Sequence, residues 1–207
     1  MNKLVPLGII GLSVIAASGV NADATVVQME SIVMLGKGSV SETKAIYYLS
    51  NGVQRVDTCH GLHAPPNTTA IFDRTRRRRI SINWKKHLYY LDAWNPGASS
   101  EPGHGHAAGK YKVICGHKVS LYTTSTIIGG NKATITEWVA KDLPIDIRSG
   151  SPGSDVGMTL ESVVHYATFV DRVTTRSVTA GHLPRTTFAP KLNGLKRVKD
   201  LAKIFEF

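Results

Sequence analysis

Polar and apolar residues alternate along most of this chain. Arg78, Ile80, Ile82 and Trp84 alternate with Arg77, Arg79, Ser81 and Asn83, the two-residue period of a half-buried strand. Residues 25–35, rich in Val, Ile and Met, read as a strand that turns at Gly36-Lys37-Gly38-Ser39. Residues 44–50 and 53–58 flank Asn51-Gly52. That dipeptide accepts positive φ at both turn centres and predicts a type I′ hairpin. Residues 68–73, the segment around Ile80 and residues 87–92 predict a meander, with a turn at Lys85-Lys86. Residues 61–67 contain Pro65-Pro66 and read as loop. Further strands are expected over 110–119, 120–128, 133–140, 158–166 and 169–179. Residues 93–109 hold two prolines, four glycines and no period, and are expected to be a mobile loop. Leu192, Leu195, Val198, Leu201, Ala202 and Phe205 recur at helical spacing behind Asn193, a capping residue type, and predict one C-terminal helix. The fold class is therefore mainly β and antiparallel.

The first 22 residues have a different character. Met1-Asn2-Lys3 precedes an apolar stretch, residues 4–20, and then Val20-Asn21-Ala22. A basic start, an apolar stretch and small residues at −3 and −1 predict a signal peptide, residues 1–22, cleaved after Ala22. The alternative is an uncleaved anchor, although Pro6, Gly8, Gly11 and Ser13 interrupt the stretch and a permanent span wants ~20 strongly apolar residues. Residues 23–207 are then one domain, periplasmic or secreted.

Twenty-five Lys and Arg against fifteen Asp and Glu give a net charge of +10. Such a charge favours anionic partners: a membrane surface, an acidic envelope protein or a glycan. Export removes nucleic acid from that set. Two cysteines, Cys59 and Cys115, are an even count in an oxidising compartment, and predict one disulfide. Closing that loop would stabilise the chain by ~4 kcal/mol in the chain-entropy account. The alternative is two buried free thiols.

Several phrases occur in a telling order. Tyr47-Tyr48-Leu49-Ser50-Asn51-Gly52-Val53-Gln54-Arg55-Val56-Asp57 is a hairpin with tyrosine, turn glycine and Arg-x-Asp. Ile71-Phe72-Asp73-Arg74 and then Tyr89-Tyr90 follow it. Val113-Ile114-Cys115-Gly116-His117-Lys118-Val119, Thr136-Glu137-Trp138-Val139-Ala140-Lys141-Asp142-Leu143-Pro144 and Leu183-Pro184-Arg185-Thr186-Thr187-Phe188-Ala189-Pro190 complete the series. From about residue 25 to about 198 the chain resembles exported bacterial domains of unknown function with a LolA-like fold. The resemblance implies a curved antiparallel sheet, an incomplete barrel around an apolar cleft. LolA-type relatives carry lipoproteins or lipids across the periplasm, and RseB-type relatives sense envelope stress. This chain lacks the carriers' long N-terminal helix. Its Gly/His loop and arginine run are not part of the matched pattern.

Candidate chemistry is sparse. Ile80, Ile82 and Trp84 on one strand, with Leu88 and Tyr90 on the next, are expected together on the concave side as a ligand cleft. Arg77 and Arg79 are expected outside, because an unpaired buried charge costs several kcal/mol. Arg74, Arg76, Arg77, Arg78 and Arg79 form the densest charge run. It is either a solvated strand end that discourages edge pairing or a patch whose guanidinium forks bind phosphate. His104-Gly105-His106 could offer two imidazoles to Zn²⁺ or Cu²⁺, as could His60 and His63, and otherwise is a solvated loop. G-x-S-x-G, H-E-x-x-H and glycine-rich phosphate loops are missing from the sequence. The pattern predicts a non-enzymatic protein without a cofactor that binds a lipid or other hydrophobic ligand. A docking subunit of an envelope complex, and a metal-binding accessory, are the alternatives.

N-terminal sequencing of the protein from the cell envelope is expected to start at Asp23. Recovery of Met1 from the membrane fraction would instead establish the anchor.

Overall fold

The computed structural model of the protein describes residues 21–35, 38–94, 105–128, 130–143 and 157–206. Most of the proposed leader lies outside these residues, as do His104 and the greater part of the 93–109 loop. In chain order the strands are β1 (Asn21–Leu35), β2 (Gly38–Ser50), β3 (Val53–His60), β4 (Thr68–Asp73), β5 (Arg78–Asn83) and β6 (Leu88–Ala93). They continue as β7 (His106–Ile114), β8 (His117–Ile128), β9 (Asn131–Ala140), β10 (Met158–His165), β11 (Val170–Pro184) and β12 (Lys196–Val198). A 3-10 turn, Arg185–Phe188, and one short helix, α1 (Ala202–Phe205), flank β12.

All twelve strands form one sheet, in the order β12-β6-β5-β4-β3-β2-β1-β11-β10-β9-β8-β7. Every pairing is antiparallel except β12 on β6. Among the described residues the sheet is open and does not close into a barrel, so β12 and β7 are its edges. The expected class, mainly β with a short C-terminal helix, is the observed one. Bulges interrupt β11 at Arg176, opposite Gln28/Met29, and β10 between Thr159 and Glu161. Such insertions sharpen the local bend and twist of a sheet. The turn after β7 accordingly reaches back over β11, where Cys115 Sγ lies 3.9 Å from the Thr175 carbonyl. In a flat sheet, β8 and β11 would be ~14 Å apart.

Two apolar clusters result. Val27, Met29, Leu49, Val119, Ala140, Leu143, Met158 and Leu160 form the larger, drawn from both halves of the sheet. Ile71, Ile80 and Ile82 form the smaller, with Leu192 and Leu195 packed against it. Those two leucines come from the C-terminal segment, which wraps around the β6 edge. It covers the isoleucine face first, adds β12 to the edge, and then packs Ile204 of α1 over the other face. There the Asn83 side-chain amide donates to the Ile204 carbonyl at 2.8 Å. Asn83 and Ile82 are successive strand residues, so they point to opposite faces. Both are buried, and both faces of β5 are therefore covered.

Four expectations need correction. The C-terminal helix does not extend over the whole 192–205 spacing: Gly194 takes φ 84° and the chain turns there, with the Leu195 N–H donating to the Leu192 carbonyl. Lys196–Val198 then pairs as a strand, and only Ala202–Phe205 is helical. The strand break near residue 119 actually falls at Cys115-Gly116. That pair has positive φ at both centres, 50° and 86°, whereas only Gly52 has it at the Asn51-Gly52 turn. The doubly left-handed hairpin turn belongs to β7–β8.

The third correction is register. Ile80 faces Leu91 and Ile82 faces Tyr89, while Leu88 pairs with Asn83 and Tyr90 with Ser81. The two expected cleft sets therefore lie on opposite faces of the sheet. The turn at Trp84–His87, with His87 at φ 54°, sets that register. Arg79 shares the face of Tyr90, not the outside. Its charge is met by a bidentate pair with Asp92, at 3.1 and 2.7 Å.

The fourth is the disulfide. Both cysteines are free thiols. Cys59 is buried near the end of β3, and Cys115 is in the β7–β8 turn, next to Thr175 of β11. Five strands separate β3 from β8, so the sheet order holds the sulfurs apart. Burial pushes the Cys59 thiol above its ordinary pKa; Lys44 opposes this and Asp57 adds to it. The thiolate is the reactive form. Native protein should thus take up one equivalent of iodoacetamide, at Cys115, with Cys59 labelled only after denaturation. Peptide mapping that finds both sites protected would contradict this reading.

Candidate functional site

β6 has six residues and β12 has three. β12 pairs with Leu88, Tyr89 and Tyr90 and stops, and among the described residues no strand lies along the outer side of Leu91–Ala93. A cleft of about 530 Å³ opens at this step, lined by Tyr90, Leu91, Arg197, Val198 and Lys199. Its size lies within the ~300–1,000 Å³ typical of ligand sites. Arg197 partly substitutes for the missing strand: its Nη2 donates to the Leu91 carbonyl at 3.4 Å. The Lys196 N–H donating to the His87 carbonyl at 2.8 Å starts the short pairing. The cleft thus combines an aromatic ring, two aliphatic side chains and two cations. Arg79, paired with Asp92, lies 5.9 Å from the Tyr90 ring. A second hollow, about 350 Å³, lies at the β8–β9 turn beside Ile127 and Lys132. It lacks an aromatic wall.

A buried polar network holds the C-terminal segment that supplies Arg197, Val198 and Lys199. Asp57 is 2% exposed. Arg55 donates to both of its oxygens at 2.9 Å, and the Thr69 hydroxyl donates at 2.6 Å. The Trp84 indole N–H donates to Thr69 at 2.8 Å. The remaining arm of Arg55 donates to the Thr187 carbonyl at 2.9 Å, in the 3-10 turn. Tyr48 stacks beneath that guanidinium, 5.4 Å from ring centre to Cζ. Desolvation by burial raises the Tyr48 phenol pKa, with a further push from Asp57. The Arg-x-Asp phrase of the hairpin is therefore a fastening: it ties the turn after β11 to β3 and fixes where β12 can reach the β6 edge.

The residues singled out from sequence are scattered by comparison. Ile80 and Ile82 are core, under Leu192 and Leu195, and Trp84 belongs to the polar network. Tyr90 lines the cleft, and Leu88 neighbours it on the same strand. Of the arginines, Arg79 pairs with Asp92 and Arg78 Nε lies 3.6 Å from Asp73. Arg74, Arg76 and Arg77 form the exposed tip of the β4–β5 hairpin. His106 is exposed on β7, His104 lies outside the described residues, and no group of three or more metal-ligating side chains occurs among the described residues. Sequence reasoning missed Arg197, Val198 and Lys199, because their spacing reads as helix. It offers no local signal that they pair with β6.

No protein-family model matches the chain, and no curated protein matches it. Solved structures share its fold. A structure of PNGF-II matches with TM-score 0.50 and 14% identity over 88% of this chain. The match spans only 33% of that protein's length. An uncharacterized conserved protein from Thermus thermophilus matches with TM-score 0.50 and 7% identity, over 84% of this chain and 90% of the other. A LolA superfamily protein from Nitrosomonas europaea matches with TM-score 0.39 and 8% identity, over 81% and 90% of the two chains. At these identities the first two likenesses show the fold alone.

Asp57→Asn should destabilise the protein by about 3 kcal/mol, because it leaves the Arg55 charge half-buried without its counter-ion. Arg55→Lys keeps the charge but loses the fork, and should cost about 1–2 kcal/mol. Urea unfolding at neutral pH, followed by tryptophan emission, measures both. Equal stability of Asp57→Asn and wild type would remove the network from this role.

Proposed function

We propose that the protein is a non-enzymatic protein of the bacterial envelope that binds an anionic amphiphile, a fatty acid or lipid, in the cleft at the β6 edge. The observation that carries this reading is the pairing of apolar walls (Tyr90, Leu91, Val198) with two cations (Arg197, Lys199) in one cleft. Acyl carbons would lie along the apolar wall. The carboxylate or phosphate would meet the guanidinium and ammonium groups. Charge-assisted contacts of this kind contribute ~1.5–3 kcal/mol each. The N-terminal apolar segment and the +10 charge support a periplasmic setting beside anionic surfaces.

A second reading has its own observation. Tyr111 and Val113, 62% and 69% exposed, stand on β7, the opposite edge of the sheet. An edge strand with exposed apolar residues favours a docking subunit that pairs with another protein.

Fluorescence displacement with oleate tests the first reading. Arg197→Glu/Lys199→Glu should weaken oleate binding at least tenfold, equivalent to ~1.4 kcal/mol, and leave binding of the uncharged oleyl alcohol nearly unchanged. Native mass spectrometry of protein from the cell envelope should find a bound lipid. A lipid-free protein that co-purifies with a stoichiometric partner would support the docking reading in its place.

A further inference from the structure

The cleft at the β6 edge holds more positive charge than a single carboxylate can match. Arg197 and Lys199 both line it, and both are exposed. Register explains how they arrive there. β12 runs parallel to β6, with Arg197 opposite Tyr89 and Val198 opposite Tyr90. Val198 therefore shares a face with Tyr90, and Arg197 shares a face with Leu91. The strand ends at Val198, so Lys199 is the first residue free of the ladder. It stands at the step where the outer side of Leu91 opens.

The acids beside these residues in the chain are already engaged. Asp92, after Leu91, takes the Arg79 guanidinium on both oxygens, at 3.1 and 2.7 Å. Asp200, after Lys199, accepts from the Ala202 N–H at 2.9 Å and so turns towards α1. Among the described residues neither Arg197 nor Lys199 pairs with a carboxylate. Arg197 has five N–H donors and uses one, on the Leu91 carbonyl at 3.4 Å. Lys199 has three donors, all open to a ligand.

These donors suit one headgroup better than others. A carboxylate has one charge and two oxygens. The fork of Arg197 would take both, leaving the Lys199 ammonium without an oxygen of its own. A phosphate monoester carries a charge of about −1.5 to −2 at pH 7 and three terminal oxygens. Two oxygens fit the guanidinium fork, the third meets the ammonium, and the charges balance. We infer that the cleft selects amphiphiles whose headgroup is a phosphate monoester. This rests on the amphiphile reading of the cleft and names its ligand class. A phosphodiester, with one charge and two free oxygens, falls in the same group as a carboxylate.

Dodecyl phosphate and dodecyl sulfate test the inference. They share a chain and three terminal oxygens and differ by one charge. Calorimetric titration into the full-length protein, below the micelle concentrations, gives both affinities. At pH 7.5 dodecyl phosphate should bind about tenfold more tightly than dodecyl sulfate. The second phosphate proton has a pKa of about 6, so at pH 5 the ratio should fall below about threefold. The charged and titratable residues next to the cleft, Arg79, His87, Asp92, Lys196 and Asp200, act on both ligands alike. The ratio therefore isolates the headgroup's own proton. Lys199→Gln should bring the ratio at pH 7.5 to within about threefold and leave binding of uncharged dodecanol unchanged. Equal binding of phosphate and sulfate at pH 7.5 would overturn the headgroup assignment, while the amphiphile reading would stand. If no dodecyl ligand binds, both fail. If inorganic phosphate binds as tightly as dodecyl phosphate, the site serves free phosphate and the apolar wall contributes nothing, which also overturns the assignment.

Discussion

The buried carboxylate of Asp57 is the constraint on which the arrangement of the smaller half depends. A carboxylate at this depth is tolerable only with its oxygens occupied. Arg55 and Thr69 occupy them. Once Arg55 is held in that pose, its remaining arm points at the Thr187 carbonyl, and the chain leaving β11 is fixed to β3. From that anchor the C-terminal segment crosses the Ile71/Ile80/Ile82 face, places Leu192 and Leu195 on it, and rounds the β6 edge. One local ion pair in a hairpin thereby decides which strand edge is covered, and how far.

Openness is the second determinant. Closure into a barrel would satisfy both edges at once. This sheet leaves two, and treats them differently. The β6 edge is half covered by β12, with Arg197 reaching the next carbonyl, and the cleft is what the short strand leaves over. The β7 edge keeps Tyr111 and Val113 exposed, with Lys118 4.8 Å from the Tyr111 ring. Both of these edge surfaces thus trace to a place where a strand ends early or lacks a neighbour among the described residues.

Several buried or half-buried charges are met by pairing. The simple argument that Arg79 must face outward fails because Asp92 sits directly opposite, one strand away. Lys112 is handled in the same way: it pairs with Glu161 at 2.6 Å, and its ammonium lies 4.3 Å from the Trp138 ring. Half-buried pairs of this kind add little net stability but forbid other registers, since a slip would leave each charge alone. They are therefore specificity devices.

What the sequence determined by itself was local. Two-residue alternation marks β5, turn dipeptides mark the β2–β3 boundary, and β-branched runs mark β1 and β11. These depend on backbone preferences and on which face of a strand meets water, and both are written in neighbouring residues. Tertiary structure decided everything that depends on distant partners. Whether Tyr90 shares a face with Ile82 was set by the length and left-handed residue of the Trp84–His87 turn. Whether Cys59 could meet Cys115 was set by the order of strands between them. The helical spacing of 192–205 was genuine, but Gly194 broke it, and the unpaired edge of β6 offered Lys196–Val198 backbone hydrogen bonds that an isolated short helix could not match. The cleft arose from that exchange, between residues more than a hundred positions apart, and no local pattern in the chain encodes it.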